Sequence, residues 1–169
     1  GVTDFHISDL NPTLNESIIR ELCEELIRSG VRVTLKIAQG TKIESLKSRD
    51  LISLMKRAGF SYVSFSPETG SPDLLKKMNK PFDHEGVLET LKYLKETGMK
   101  TQACFIIGTS AETPEDLKLT EDYIGRLISA GIDEIAINIF TPVPGLSEFE
   151  KISGIVPLSG LTHSPAWRS

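Results

Sequence analysis

The chain has 169 residues, of which 39% are hydrophobic and 25% are charged, and its formal net charge is −4. This size and composition predict one folded domain, and an acidic chain without a run of Lys or Arg is not expected to bind nucleic acid. No apolar stretch approaches the roughly 20 residues that cross a bilayer, and the amino end is not a secretion signal, so we expect a cytoplasmic protein with no membrane partner.

Strands and helices alternate along the predicted chain. Strands are expected at 2–8, 31–37, 62–66, 100–107 and 134–140, and helices at 15–29, 48–58, 72–78, 84–97 and 115–130. Four glycines spaced 29 to 39 residues apart, the length of one strand plus one helix, mark the helix ends: Gly30, Gly59, Gly98 and Gly131. Three helix starts carry capping residues: Asn15, Ser71 before Pro72, and Thr113 before Pro114. Because helices connect successive strands, the strands must be parallel.

Polar residues alternate with apolar ones in the first two strands, for example Asp4, His6 and Ser8 in the first. A central strand of a flat, doubly covered sheet would be nearly all apolar, whereas a barrel strand can face a wet lumen. An exposed edge strand of an open sheet explains the alternation as well. The unusual sequence follows strand ends, where barrels place their sites. We therefore predict an α/β fold, a partial (β/α) TIM-like barrel over residues 1–152, with an irregular tail or linker at 153–169.

Three motifs follow the third, fourth and fifth strands. They lie at 64–71 (SFSPETGS), 105–113 (FIIGTSAET) and 141–145 (TPVPG). Taken singly, each motif can be a turn whose glycines and prolines end the strand, and Glu68 or Glu112 can simply cap the next helix. Their order and their equivalent positions favour one shared site.

These motifs resemble those of the radical S-adenosylmethionine superfamily, especially the branch that often carries a cobalamin-binding domain ahead of the barrel. The resemblance covers roughly residues 2–152 and rests on matching positions: Ser66, Glu68, Thr69, Gly70, Ser71, Phe105, Ile106, Gly108, Glu112, Thr113, Thr141, Pro142, Pro144 and Gly145. The chain departs from the family at Ser110 and Ala111, where Pro-Gly is common, and at Ala103 and Leu146.

The resemblance implies an S-adenosylmethionine site at the carboxyl ends of the strands. It implies cofactor-binding roles for Ser8, Asp9, Lys36, Ser66, Glu68, Gly70, Ile106, Ile107, Gly108, Glu112, Asn138 and Thr141. Asp9 would accept from the cofactor ammonium, and Ser66 and Glu68 would contact the ribose or the methionine portion. Ile106, Ile107 and the Gly108 backbone would form the adenine wall. These residue types suit a zwitterionic tail, a diol and an apolar ring.

Each of three polar residues in the predicted lumen has two possible roles. Lys36 either pairs with the cofactor carboxylate or is balanced by Asp4 or Glu68. Asn138 bonds either the adenine or a neighbouring side chain. His6 is interpreted as a hydrogen-bonded interior histidine rather than a proton-transfer residue.

The two cysteines, Cys23 and Cys104, match no metal-ligand spacing because they lie 81 positions apart. Both are expected to be buried thiols without a disulfide. The family's 4Fe–4S cluster needs a Cys-x-x-x-Cys-x-x-Cys segment after the first strand, and this sequence contains none. We therefore expect the first βα unit to lie upstream, and we assign no catalytic or metal-ligating residue here.

Two functions of different classes are compatible with these patterns. In the first, the chain contributes the cofactor-binding strands of a radical S-adenosylmethionine oxidoreductase or transferase, with methyl transfer as the family-weighted reaction, and this fragment is inactive by itself. In the second, it is a non-catalytic half-barrel scaffold or interaction module with a decayed cofactor site. The substrate, small or macromolecular, stays open. An uncovered first strand also predicts self-association.

Overall fold

A computed structural model describes residues 1–9, 11–142 and 149–150. The strands are β1 (Asp4–His6), β2 (Thr34–Ile37), β3 (Phe60–Glu68), β4 (Lys100–Ile107) and β5 (Glu134–Ile139). The helices are α1 (Glu16–Ser29), α2 (Arg49–Ala58), α3 (Pro72–Lys77), α4 (His84–Glu96) and α5 (Pro114–Ala130). A 3-10 turn at Ile43–Ser45 follows β2. The tail predicted at 153–169 lies outside the described residues.

The five strands form one parallel sheet in the order β1-β2-β3-β4-β5. Each strand pairs with the next one along the chain, as in Lys36 beside Tyr62 and Gln102 beside Glu134. Helices cross between these parallel neighbours, so every strand ends at the same edge of the sheet. The predicted partial TIM-like barrel is confirmed.

Helix boundaries were predicted more closely than strand boundaries. Asn15, Ser71 and Thr113 cap α1, α3 and α5, and the four predicted glycines have positive φ. In contrast, β1 spans three residues where seven were predicted, while β3 spans nine where five were predicted. The reason is pairing: β3 has a neighbour on both sides, whereas β1 pairs with β2 alone among the described strands.

The hydrophobic core lies between the sheet and the helices. Fully buried strand residues such as Ile37, Val63 and Phe105 pack there against helical residues that include Met55 and Leu91. Cys23 is buried in this core as predicted, and desolvation raises the pKa of its thiol to about 11. Within the described residues, no helix combines the length and the apolar character that a membrane span requires.

The opposite face of the sheet, which we call the lumenal face, is polar. Lys36 Nζ lies 2.8 Å from Asp4 Oδ1, and Tyr62 donates to Glu134 Oε2 at 2.8 Å. Desolvation, and then the bond to Glu134, raise the pKa of the Tyr62 phenol. Gln102 Nε2 donates to the same Glu134 oxygen at 3.1 Å. The predicted polar lane is therefore present.

Two predictions about this face were wrong. Cys104 is only half-buried, because its position on β4 points the thiol at the lumen, 3.5 Å from Gln102 Oε1. His6 is exposed, because β1 is an edge strand with a single neighbour.

Adding one methyl group at Gly59, the residue that caps the end of α2, is expected to lower the stability of the fold. The φ of Gly59 is 107°, and a Cβ there would lie 2.1 Å from the Val33 carbonyl oxygen. We expect Gly59→Ala to lower the free energy of unfolding by about 1–3 kcal/mol in urea denaturation. Gly125 is the matched control: it lies in α5 with open space around it, so Gly125→Ala should raise stability by about 0.5–1 kcal/mol. Equal effects at both positions would contradict the described geometry.

The free edge of β1 predicts self-association. The side chains of Phe5, Ile18 and Leu22 are exposed on β1 and the adjoining α1. Unpaired backbone groups beside an apolar surface favour pairing with another chain. We expect the weight-average mass in sedimentation equilibrium to rise with concentration, and Ile18→Glu to reduce that rise. Ser53→Glu, on exposed α2 surface, should leave it unchanged. A monomer at every concentration would argue against this expectation.

Candidate cofactor-binding site

β3 contains a β-bulge near its carboxyl end, and this bulge changes the direction of the Glu68 side chain. Phe65 pairs with Ala103 but Glu68 pairs with Phe105, so β3 holds one extra residue between these pairs. Bulges of this kind commonly lie beside active sites and redirect a side chain. Glu68 also has a φ of 64°, in the left-handed region that residues with a Cβ rarely adopt. Backbone strain of this type costs about 1–3 kcal/mol and is concentrated at functional sites.

The Glu68 carboxylate forms an ion pair with Lys80. The Glu68 side chain is 8% exposed and that of Lys80 is 61% exposed, with Nζ 2.5 Å from Oε1. Because solvent reaches Lys80, the pair contributes little to stability. The pair matters because of where it lies, since it places a buried carboxylate beside a solvent-exposed ammonium group.

Lys80 reaches Glu68 because of the way α3 ends. Asn79 adopts a φ of 53°, its amide donates to the Lys76 carbonyl, and the Lys80 amide donates to the Leu75 carbonyl. This is a Schellman motif with asparagine at the left-handed position, and it turns the chain back toward the sheet.

Two pockets adjoin this ion pair, and Glu68 and Lys80 line both. The first, of about 420 Å³, has a mixed lining, which consists of the polar residues Asn11, Thr41, Lys42, Glu44, Ser66 and Asn79 and the apolar residues Pro67, Leu75, Pro81 and Phe82. The second, of about 290 Å³, is more apolar and includes Leu74, Lys77, Met78, Ile106, Thr109, Ser110, Ala111 and Phe140. Glu68 therefore lies between a pocket of mixed polarity and a more apolar one.

A hydrogen-bond network behind the first pocket joins the loops that follow β1 and β2. Asn11 Oδ1 accepts from the Lys42 amide at 2.8 Å and from the Thr41 hydroxyl at 3.2 Å. The Thr13 hydroxyl lies 2.5 Å from that of Thr41 and 2.6 Å from that of Ser45. None of these residues was predicted to belong to the site, since only their small polar character after a strand end could have signalled them.

The loop after β4 bounds the second pocket. The Gly108 amide donates to Glu112 Oε2 at 2.5 Å, and the Glu112 amide donates to the Thr109 carbonyl at 3.1 Å. Within the described part of the chain, the buried Thr109 Oγ1 and Glu112 Oε1 have no hydrogen-bond partner. Buried polar atoms are nearly always satisfied, so an unpaired hydroxyl on a pocket residue is compatible with a bound polar group.

Several predicted site residues come together around these pockets. Ser66, Glu68 and Ile106 line them, and Gly108 and Glu112 shape the loop beside the second. Asp9 and Ser8 are exposed, and Asp9 Oδ1 accepts from the amide of pocket residue Asn11 at 2.7 Å.

Other predicted residues lie elsewhere. Gly70 packs against α5, and Ile107 shares the helix-facing side of β4 with Phe105. Asn138 donates to the Phe105 carbonyl, and Thr141 donates to the Ile139 carbonyl, both at 3.4 Å. Lys36 pairs with Asp4, which was one of the two alternatives for it. These residues have local partners and line neither pocket.

An iron–sulfur cluster does not fit the described residues. They contain no group of three His, Cys, Asp or Glu side chains that could hold a metal ion. The two thiols also lie on different sides of the sheet, Cys23 in the core and Cys104 at the lumen.

Residues 1–124 match the family model of the Radical SAM superfamily. The chain belongs to this superfamily. The predicted resemblance is therefore confirmed.

Curated radical SAM relatives are several times longer than this chain. The anaerobic magnesium-protoporphyrin IX monomethyl ester cyclase of Cereibacter sphaeroides is 31% identical over 121 residues, covering 71% of this chain and 20% of the cyclase. The bacteriochlorophyllide d C-12(1)-methyltransferase of Chlorobaculum tepidum is 27% identical over 152 residues, covering 88% of this chain and 31% of the relative. The chain thus spans about a fifth to a third of these proteins.

A solved radical SAM structure has the same fold. The methyltransferase TsrM from Kitasatospora setae, with cobalamin and a 4Fe–4S cluster bound, superposes with a TM-score of 0.70 at 18% identity. The match covers 91% of this chain and 32% of TsrM. The half-barrel of this chain is therefore a radical SAM fold.

The left-handed backbone of Glu68 predicts that glycine is a more stable replacement than alanine at this position, which reverses the usual order in a strand. Both Glu68→Gly and Glu68→Ala remove the ion pair, but only glycine relieves a φ of 64°. We expect Glu68→Gly to be more stable than Glu68→Ala by about 1 kcal/mol in urea unfolding. At Ser66, in the same strand and without a positive φ, alanine should be the more stable replacement. The same order at both positions would disprove the strained conformation.

Proposed function

We propose that this chain supplies the S-adenosylmethionine-binding strands of a radical SAM enzyme, with the cofactor lying across the two pockets that share Glu68 and Lys80. The observation that carries this proposal is the buried Glu68 carboxylate, on a strained backbone, between a pocket of mixed polarity and a more apolar one. Together the pockets fall in the size range of small-molecule sites, about 300–1,000 Å³.

The residues around Glu68 suit the chemistry of the cofactor. A carboxylate accepts hydrogen bonds from an ammonium group or from ribose hydroxyls. Lys80 is the better partner for the cofactor carboxylate than Lys36, because Lys80 lines both pockets and Lys36 lines neither. Ile106, Leu74 and Met78 form an apolar wall for adenine, and the unpaired Thr109 hydroxyl is available at its edge.

The chemistry of the whole enzyme depends on parts beyond these strands. S-adenosylmethionine beside a reduced cluster supplies a 5′-deoxyadenosyl radical, which is cofactor chemistry. Since the described residues contain no three-ligand metal group and the sequence has two cysteines, we propose that three thiolates in another part of the protein bind the cluster, and that this chain alone is inactive. Likeness to TsrM supports a cobalamin-binding domain and methyl transfer, within the broader class of oxidoreductases and transferases. Iron–sulfur chemistry and unpaired thiols suit the reducing cytoplasm.

A non-catalytic scaffold is the second candidate. It is favoured by the lack of a three-ligand metal group in the described residues and by Ser110 and Ala111, which line the second pocket where the family has Pro-Gly. In that case the pockets would be remnants of a cofactor site, and the chain would not bind S-adenosylmethionine.

Titration calorimetry of the chain with S-adenosylmethionine separates the two candidates. We expect saturable binding that Glu68→Gln and Lys80→Met each weaken about tenfold, since hydrogen bonds to charged groups contribute about 1.5–3 kcal/mol. Lys118→Met is the matched control, because Lys118 pairs with Glu121 and Asp122 on α5 and lines neither pocket. Absence of binding would favour the scaffold, whereas equal loss of affinity in all three variants would refute the proposed position of the cofactor at Glu68 and Lys80.

A longer version that includes the upstream segment tests the enzyme itself. After anaerobic reconstitution with iron and sulfide, we expect the broad absorption band of a 4Fe–4S cluster. If no band develops, the radical enzyme assignment of the whole protein fails even where the chain binds the cofactor.

A further inference from the structure

Helix α5 holds the segment that follows Glu68. Gly70 approaches α5 so closely that a Cβ there would lie 2.3 Å from the Leu119 carbonyl oxygen. The Gly70 amide donates to the Thr120 hydroxyl at 3.0 Å. Only glycine permits this contact, so its place in the strand-end motif is explained by packing against α5.

The Thr120 hydroxyl uses its full hydrogen-bonding capacity. It donates to the Asp116 carbonyl at 2.9 Å, accepts from the Gly70 amide, and lies 2.9 Å from the Thr69 hydroxyl. Since a hydroxyl has one donor and two acceptor sites, Thr69 must be the donor in the last bond. Thr69 is fully buried and Thr120 is 3% exposed, so water does not replace these bonds.

Asp116 makes a second attachment one turn earlier on α5. Its carboxylate accepts from the Ser71 hydroxyl, and from the amide and the hydroxyl of Thr113 at 2.9 Å each. These bonds, led by that from Ser71, lower the pKa of the Asp116 carboxyl. The Ser71 hydroxyl also accepts from the Leu74 amide at 3.2 Å, which starts α3.

These attachments act on both members of the Glu68 and Lys80 pair. Thr69 and Gly70 continue directly from the left-handed Glu68, so fixing them fixes its backbone. Ser71 caps the start of α3 (Pro72–Lys77), and Lys80 follows shortly after the end of that helix. A strained conformation persists only where its surroundings determine it, and here the surroundings are supplied by α5.

We infer that Thr120 and Asp116 are positioning residues that hold the turn after β3 in the shape that keeps Glu68 between the two pockets. The inference rests on the proposed function for its consequence, which is affinity for S-adenosylmethionine. Neither residue lines either pocket. Their effect on the ligand is therefore transmitted through the backbone of the turn.

Thr120→Val tests this inference, and Thr90→Val is its matched control. Both threonines are buried in helices, and both donate to the carbonyl four residues earlier: Thr90 to Gly86 at 3.2 Å and Thr120 to Asp116. Only Thr120 also bonds the turn. Thr120→Val should therefore lose more stability than Thr90→Val in urea unfolding, because it also leaves the Gly70 amide and the Thr69 hydroxyl without this partner.

Two readouts separate positioning from stability alone. We expect Thr120→Val, relative to Thr90→Val, to speed hydrogen exchange of the Gly70 amide about tenfold and to weaken S-adenosylmethionine binding about tenfold. Thr120→Ser keeps the hydroxyl and should restore both. If Thr120→Val matches Thr90→Val in both readouts, the inference is overturned.

Failure of the proposed function is distinguishable from failure of this inference. If the unmodified chain does not bind S-adenosylmethionine, the proposed function falls. Exchange of the Gly70 amide still decides whether Thr120 holds the turn: faster exchange in Thr120→Val alone supports it, and equal exchange in both variants refutes it.

Discussion

Parallel pairing of successive strands is the constraint on which the rest of the structure depends. Because each strand runs in the same direction as its neighbour, every loop that follows a strand emerges at one edge of the sheet. Loops that follow β1, β2, β3 and β4 thereby contribute to two adjoining pockets, although four helices, α1 to α4, separate the first of these loops from the last along the chain. An antiparallel arrangement of the same strands would divide these loops between opposite edges.

The two faces of the sheet have different chemical roles. The helix-facing side is a closed apolar core, and it makes the sheet rigid enough to hold a bulge and a left-handed glutamate at the end of β3. The lumenal side carries hydrogen-bonded polar residues such as Lys36, Tyr62 and Glu134. The ammonium group that pairs with Glu68 is not that of Lys36, which pairs with Asp4. It belongs to Lys80, in the turn that follows α3.

Apolar side chains remain exposed at both ends of the sheet. Phe5, Ile18 and Leu22 lie at the β1 end, and Ile128, Ile137 and Ile139 lie at the β5 end. In a longer protein such faces would pack against further βα units, and the chain matches only about a fifth to a third of its relatives. Among the described strands, β1 and β5 each have one paired neighbour, and these apolar side chains are exposed beside them, which is why association between chains is expected.

The sequence by itself determined the features that depend on neighbouring residues. Helix caps at Asn15, Ser71 and Thr113, left-handed glycines at helix ends, and the alternation of strands with helices are local, so residue type was sufficient to predict them. The motifs that contain Glu68 and Ile106 also identified the family, because their residue types and order are specific. Tertiary structure alone decided which partners these residues have. The contact between Glu68 and Lys80 requires the left-handed turn at Asn79, and the bonds from Thr120 and Asp116 join residues 45 to 51 positions apart. No local pattern encodes such contacts, because they exist only once α5 packs against the turn after β3.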